Sequence, residues 1–95
     1  MAVLLIEHRV RDFESWKAAF DGDPVGREQG GVRSYRILRA ADDANLVLIE
    51  LEFDDAAAAE TFRERLQAMW SRVVAEGLIE APTARIAEEV ERRQV

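Results

Sequence analysis

Apolar and polar residues alternate with a period of two in three stretches of the chain, which is the pattern of a half-buried strand. These stretches are residues 3–10, 32–39 and 46–53. The last two are joined by the polar residues 40–45, and this arrangement predicts a hairpin. A shorter, mixed stretch after Pro82 predicts a fourth strand, whose inward side chains are Ala84, Ile86 and Val90.

Two other segments repeat their apolar residues every three or four positions and predict amphipathic helices. The first begins at Asp12, a good N-cap residue, and carries an aromatic stripe made of Phe13, Trp16 and Phe20. The second begins at Asp54 or Asp55 and ends near Gly77; its apolar side consists of Ala58, Ala59, Phe62, Leu66, Met69, Trp70 and Val73. Gly22, Asp23 and Pro24 end the first helix, and residues 25–31 have little periodicity, which predicts a mobile loop with one helical turn that ends at the Gly30-Gly31 pair.

The order of these elements predicts a ferredoxin-like βαββαβ domain of the α+β class, which covers residues 1–95 as a single unit. Its four-stranded antiparallel sheet would carry both helices on one face. The other face would mix aliphatic and charged side chains, namely Val3, Leu5, Glu7, Arg9, Val32, Ser34, Arg36, Leu38, Leu48, Glu50 and Glu52. Such a face is suited to burial against a second copy, so we predict a homodimer in which two sheets form a barrel.

Composition excludes several classes of function. The chain has a formal net charge of -6, and its longest basic cluster is Arg92-Arg93, so we expect no nucleic-acid partner. It contains no cysteine and one histidine, which predicts no disulfide, no thiolate nucleophile and no metal site built from several such ligands. The apolar run at residues 2–6 is too short for a signal or membrane segment, so we expect a cytoplasmic protein without a membrane partner.

The sequences VLLIEHRVRDFESWKAAF, NLVLIELEFDD and FRERLQAMW resemble those of the dimeric α+β barrel superfamily, over about residues 3–90. That superfamily includes the antibiotic biosynthesis monooxygenases, small cofactor-free oxygenases, polyketide cyclases and haem-degrading enzymes. The resemblance implies a sheet-to-sheet homodimer with a separate pocket in each chain, and a monooxygenase or cyclase activity that needs no cofactor. The haem-degrading members are similar in that they carry a polar side chain on the first strand and a tryptophan on the long helix, which correspond here to His8 and Trp70. They also use a histidine after the long helix to ligate iron. Residues 73–82 contain none, so we expect no specific haem site.

A candidate pocket lies between the helices and the inner face of the sheet. His8 and Tyr35 are the conspicuous polar residues of that face, and a mostly apolar cavity with a few polar groups is the usual form of a small-molecule site. We therefore predict a hydrophobic, planar aromatic or polyketide-like ligand. His8 would act as acid or base on a phenol or an activated methylene, and Tyr35 would be its hydrogen-bonding partner. The predicted ligand contacts are Trp16, Trp70, Phe20, Arg33 and Phe62.

Each of these residues also has a purely structural explanation. His8 can be a half-buried strand residue that is hydrogen-bonded to Tyr35 or to a helix carbonyl, and the two tryptophans can be core residues. Arg33 belongs to a strand with three arginines, which is typical of a solvated or paired surface. An open cavity of roughly a few hundred Å³ that reaches His8 would favour the enzyme. A His8 packed without a void would favour a non-catalytic dimeric module of the same fold.

Overall fold

The computed structural model describes residues 1–95 and contains four strands and two helices in the predicted order. The strands are β1 (Ala2–Val10), β2 (Ser34–Ala40), β3 (Asp43–Phe53) and β4 (Ile79–Glu88), and the helices are α1 (Phe13–Asp21) and α2 (Ala56–Ala75). All neighbouring strands are antiparallel, and their order across the sheet is β2-β3-β1-β4. The predicted ferredoxin-like βαββαβ fold is confirmed.

Each helix begins at an aspartate that caps its N-terminus. The Asp12 carboxylate accepts a hydrogen bond from the Ser15 backbone N–H at 3.0 Å, and the Asp55 carboxylate accepts one from the Ala58 N–H at 2.8 Å. The chain leaves α2 through Gly77, whose φ of 77° is a conformation that favours glycine. Neither helix combines the length and the apolar character that a membrane span requires.

The hydrophobic core lies between the inner face of the sheet and α2. Its members are Ala2, Leu4, Ile6, Val10, Val47, Ile49, Leu51, Phe53, Ala59, Phe62, Leu66, Trp70 and Ile79. Helix α1 has no buried residue, and its Phe13, Trp16 and Phe20 are only partly buried against this core. Because α1 closes the core less tightly than α2 does, there is room for a cavity between the helices and the sheet.

Strand β4 differs from its prediction at both ends. It begins at Ile79, ahead of Pro82, and ends at Glu88, so Val90 is 98% exposed and does not face the core. The sequence predicts that this strand begins only after Pro82. Since β4 is an edge strand, one of its sides has no neighbour, and a proline is tolerated there.

A β-bulge interrupts the pairing of β4 with β1 directly opposite His8. Glu7 pairs with Thr83 and Arg9 pairs with Glu80, so two residues of β4, Ala81 and Pro82, lie opposite one residue of β1. Ala81 has a φ of 50°, which L-amino acids with a side chain rarely adopt. The extra residue shifts the alternation of β4 by one position. As a result, β4 faces the core with residues on both sides of the bulge, namely the buried Ile79 and the part-buried Ala84 and Ile86.

The outer face of the sheet carries the predicted mixture of aliphatic and charged residues. Leu5 and Leu38 are each 37% exposed on it. Arg36 donates to the Glu50 carboxylate at 2.8 Å, and Arg92 from the C-terminal segment donates to Glu52 at 3.0 Å. Within one chain, therefore, Glu50 and Glu52 of this face are each paired with an arginine.

Candidate functional site

A cavity of about 450 Å³ lies between the two helices and the inner face of the sheet. The sheet contributes Ile6, His8, Ile49 and Leu51, and α2 contributes Phe62, Leu66, Met69, Trp70 and Val73. Helix α1 contributes Trp16 and Phe20, and the following loop closes one side with Pro24, Val25 and Arg27. The volume lies within the range of about 300–1,000 Å³ that is typical of small-molecule pockets.

His8 is the one polar side chain among the buried residues, with 3% of its surface exposed, and it lines this cavity. Strand β1 places it there because His8 alternates with Ile6 and Val10 on the inner face. Its Nδ1 atom is buried and has no hydrogen-bond partner. Neither Tyr35 nor a helix carbonyl pairs with that nitrogen, and an unpaired buried polar atom costs roughly 1–3 kcal/mol. Proteins rarely keep such an atom without a functional or structural reason.

Burial lowers the pKa of His8 below its usual value of about 6.5, and the backbone groups of Arg9 and of His8 itself act in the opposite direction. At neutral pH the imidazole is therefore uncharged. A neutral imidazole carries one N–H donor and one nitrogen that accepts a proton. His8 is thus in the form that a general base requires.

Two tryptophan rings stand edge-on to His8 from opposite helices. The Trp16 ring centroid lies 5.5 Å from that of the imidazole at an interplanar angle of 67°, and the Trp70 centroid lies 6.4 Å away at 83°. Trp16 is itself packed between Phe13 and Phe20, whose centroids are 5.8 Å and 5.3 Å from its own. These rings give the cavity flat, apolar walls, which suit a planar aromatic ligand.

The loop between α1 and β2, predicted to be mobile, packs on both helices. The Arg27 guanidinium lies 4.0 Å from the Phe20 ring centroid and donates to the Phe20 carbonyl at 2.7 Å. Gly30 lies directly on Phe62, where a Cβ atom would be only 2.5 Å from Cδ1. A side chain at position 30 would therefore force the loop away from α2, so glycine is required by this close approach.

Five of the seven predicted site residues line the cavity, namely His8, Trp16, Phe20, Phe62 and Trp70. Tyr35 and Arg33 do not. Tyr35 is 45% exposed and packs its ring against Phe20 at a centroid distance of 5.2 Å. The Arg33 guanidinium forms a salt bridge with the Asp54 carboxylate outside the cavity.

The register of the sheet explains why Tyr35 is distant from His8. His8 pairs with Val47, which pairs with Arg39, whereas Tyr35 pairs with Leu51. Tyr35 is therefore two strands away from β1 and about 13 Å further along its own strand. The alternation of the sequence places both residues on the inner face, but it does not determine the register between strands.

The cavity is also lined by three arginines that the sequence analysis did not predict as site residues, namely Arg11, Arg27 and Arg72. Arg11 lies in the turn before α1, Arg27 in the loop after it, and Arg72 in the last turn of α2. None belongs to a motif, so only the three-dimensional arrangement brings them together. The protein contains no group of three or more His, Cys, Asp or Glu residues that could hold a metal ion.

The lowered pKa of His8 predicts that stability falls as the pH is lowered through the range of histidine titration. The unfolded chain takes up a proton near pH 6.5, whereas the folded protein resists it, so the free energy of unfolding is largest above pH 6.5 and decreases below it. One such group contributes a slope of at most about 1.4 kcal/mol per pH unit. Urea unfolding at pH 7.5 and pH 5.5 measures this slope, and NMR of the sole histidine follows its protonation directly.

The matched control is His8→Gln, which removes the titrating group and keeps a polar side chain of similar size. Exposed carboxylates such as Asp43 and Asp54, whose pKa values are lowered by the partner arginines, titrate well below this pH range. The variant should therefore show no slope between pH 7.5 and 5.5. An equal slope in both proteins would mean that groups other than His8 cause it.

The strands, the helices and their order across the sheet define an α+β protein with a ferredoxin-like βαββαβ fold and a cavity between its helices and its sheet. No family model and no curated protein matches the chain. Among solved structures, it is similar to a candidate antibiotic biosynthesis monooxygenase from Deinococcus radiodurans, with 12% identity, a TM-score of 0.70, and coverage of 100% of this chain and 98% of that one.

Two further structures have the same fold. SnoaB, a cofactor-independent oxygenase from Streptomyces nogalater, shows 15% identity and a TM-score of 0.68, with 96% of this chain and 94% of that one covered. A candidate antibiotic biosynthesis monooxygenase from Nitrosomonas europaea shows 18% identity and a TM-score of 0.60, with 96% and 100% covered. At these identities the likeness concerns the fold, and it extends over almost the entire chain.

Proposed function

We propose that the protein is a cofactor-independent monooxygenase that acts on a hydroxylated aromatic or polyketide-type metabolite. The observation that carries this proposal is His8, buried on the floor of an apolar cavity with its Nδ1 unpaired. A cavity of about 450 Å³ that reaches His8 supports an enzyme rather than a module with a filled core. The shared fold with SnoaB, a cofactor-independent oxygenase, supports oxygenation rather than the ring closure that a cyclase would catalyse.

In the proposed reaction, neutral His8 removes a proton from an activated methylene of the substrate, next to a phenolic ring. The resulting carbanion adds O2, and protonated His8 returns its proton to the peroxide oxygen. Loss of the second methylene proton to His8 and of hydroxide from the peroxide gives a carbonyl group, and the proton and hydroxide form water. One oxygen atom enters the product and one leaves as water. The substrate supplies all the electrons, so the reaction needs no separate reductant.

The apolar walls contribute to this chemistry by excluding water. Trp16 and Trp70 flank His8, and most of the residues that line the cavity are aliphatic or aromatic. In such surroundings the imidazole stays neutral, and the carbanion is protected from reprotonation by bulk water. The tryptophans are thus positioned to hold a planar ring with its acidic C–H beside His8.

The test uses 1,8-dihydroxyanthrone, which has a phenolic ring system and one activated methylene. We expect the protein to accelerate uptake of O2 in an oxygen electrode above the rate in buffer. One molecule of 1,8-dihydroxyanthraquinone should form for each O2 consumed, without hydrogen peroxide and without an added reductant. Binding of the anthrone with no acceleration of O2 uptake would contradict the oxygenase.

We also propose that a second copy of the chain covers the outer face of the sheet. Leu5 and Leu38 are partly exposed on that face, and a chain of 10.8 kDa buries only a modest core by itself. Sedimentation velocity should give twice the mass of the chain. Leu5→Glu, which adds a charge beside Glu50, should shift the protein towards the monomer. A wild-type monomer at micromolar concentration would contradict the homodimer.

A further inference from the structure

Two arginines without an acidic partner line the opening of the cavity. Arg11 and Arg72 are both exposed, and both contribute to the cavity lining. A hydrogen bond from the Arg11 backbone N–H to the Leu78 carbonyl, at 3.4 Å, holds the start of α1 next to the end of α2. Other arginines of the chain form salt bridges with carboxylates, namely Arg9, Arg27, Arg33, Arg36 and Arg92. Of the three arginines that line the cavity, Arg27 is paired with Asp23, whereas Arg11 and Arg72 form no salt bridge.

The acidic groups that line the same cavity are already engaged. The Asp12 carboxylate accepts hydrogen bonds from the backbone N–H and the hydroxyl of Ser15 at 3.0 Å and 2.6 Å. The Asp23 carboxylate lies 3.6 Å from the Arg27 guanidinium and accepts a bond from the Arg27 backbone N–H at 2.8 Å. Because Asp23 and Arg27 are paired with each other, the remaining charges are the two positive ones of Arg11 and Arg72 and the negative one of Asp12, which leave a net charge of +1 at the opening. On the floor, the rings of Trp16 and Trp70 flank His8.

We propose that Arg11 and Arg72 form a subsite for a carboxylate, and that the ligand is an aromatic carboxylic acid whose rings lie in the cavity. The guanidinium group presents parallel N–H donors that match the two oxygens of a carboxylate. Because both arginines are at the exposed rim, the carboxylate keeps part of its hydration and is not buried as an isolated charge. This inference rests on the proposed function for the role of the cavity and adds the class of substrate.

The test compares two probes that differ only in the carboxylate, 1,8-dihydroxyanthraquinone and its 3-carboxylic acid. Both tryptophans of the chain line the cavity, so quenching of their fluorescence reports binding. We expect the acid to bind about five-fold more tightly, the factor that corresponds to an exposed ion pair of about 1 kcal/mol. Added salt should reduce this preference.

The preference for the acid should fall in Arg11→Gln and in Arg72→Gln and disappear in the double variant, while affinity for the uncharged probe stays unchanged. That unchanged affinity also shows that the variants are folded. The matched control is Arg63→Gln, which removes the same charge from α2 at a residue that does not line the cavity. It should keep the wild-type preference for the acid.

Three results would overturn the inference, and they are distinguishable from failure of the proposed function. Equal affinity of the wild-type protein for both probes would show that no carboxylate subsite exists, while the oxygenase could still hold. An equal loss of affinity for both probes in the arginine variants would show that these side chains act only as walls. The same loss of preference in Arg63→Gln would indicate a general charge effect. If neither probe binds and the anthrone is not oxidised, the proposed function fails, and this inference fails with it.

Discussion

His8→Ala is expected to lower the rate of enzyme-dependent O2 uptake with 1,8-dihydroxyanthrone by about 10²–10⁴-fold, the range that a general base contributes. The substitution removes the one buried imidazole, and no other titratable side chain is buried near it. Affinity for 1,8-dihydroxyanthraquinone should change little, because the flat walls formed by Trp16 and Trp70 are retained. The loss should therefore appear in kcat and not in the affinity for the ligand.

Two further measurements make this prediction specific. Added imidazole should restore part of the rate in His8→Ala, because the deleted ring leaves a space of matching shape at the floor of the cavity. Tyr35→Phe tests the hydroxyl that the sequence placed beside His8; since Tyr35 lies outside the cavity, we expect a rate within about two-fold of wild type. A rate for His8→Ala within ten-fold of wild type would exclude His8 as the base.

The largest effect on stability is expected for Phe62→Ala, at about 3–5 kcal/mol in the free energy of unfolding. Phe62 is 2% exposed, and its ring centroid lies 5.6 Å from that of Phe53. It also supports Gly30, so its removal takes away the surface on which the loop after α1 rests. A domain of this size has a total stability of about 5–15 kcal/mol, so the variant would lose a large part of it.

Urea unfolding at one fixed protein concentration measures this loss, because the stability of the proposed homodimer would depend on concentration. The matched control is Phe13→Ala on α1, where the ring is only partly buried and does not line the cavity. It should cost clearly less than Phe62→Ala. A cost below about 1 kcal/mol for Phe62→Ala would mean that the loop and α2 collapse together and fill the space.

Local patterns were sufficient to predict the fold. Strict alternation identified β1 and β3, and the spacing of the apolar residues identified α2 with the correct buried side, from Ala59 to Trp70. The same alternation placed His8 on the inner face. These signals are contained in neighbouring residues, which is why a single sequence reveals them.

The site could be predicted only in part, because it depends on how distant segments align. Tyr35 and His8 share a face, yet the register of β2 and β3 puts them far apart. Arg72 has no sequence signal, since only the folded chain makes it line the same cavity as Arg11, which is far from it in the sequence. The close contact of Gly30 with Phe62 is also a property of the packed molecule. The spacing of apolar residues along one segment does not determine the register between strands or the packing of distant segments.

The bulge in β4 has a consequence for how the chain tolerates changes in length. It already absorbs one extra residue opposite His8, so the gain or loss of a single codon between residues 78 and 82 would alter the rim of the cavity and leave the pairing of residues 83–88 intact. Strand β1 has no such freedom, because it is paired on both sides. A shift of one residue there would carry His8 to the outer face. Over evolutionary time, the opening of the cavity can therefore vary while His8 stays in place.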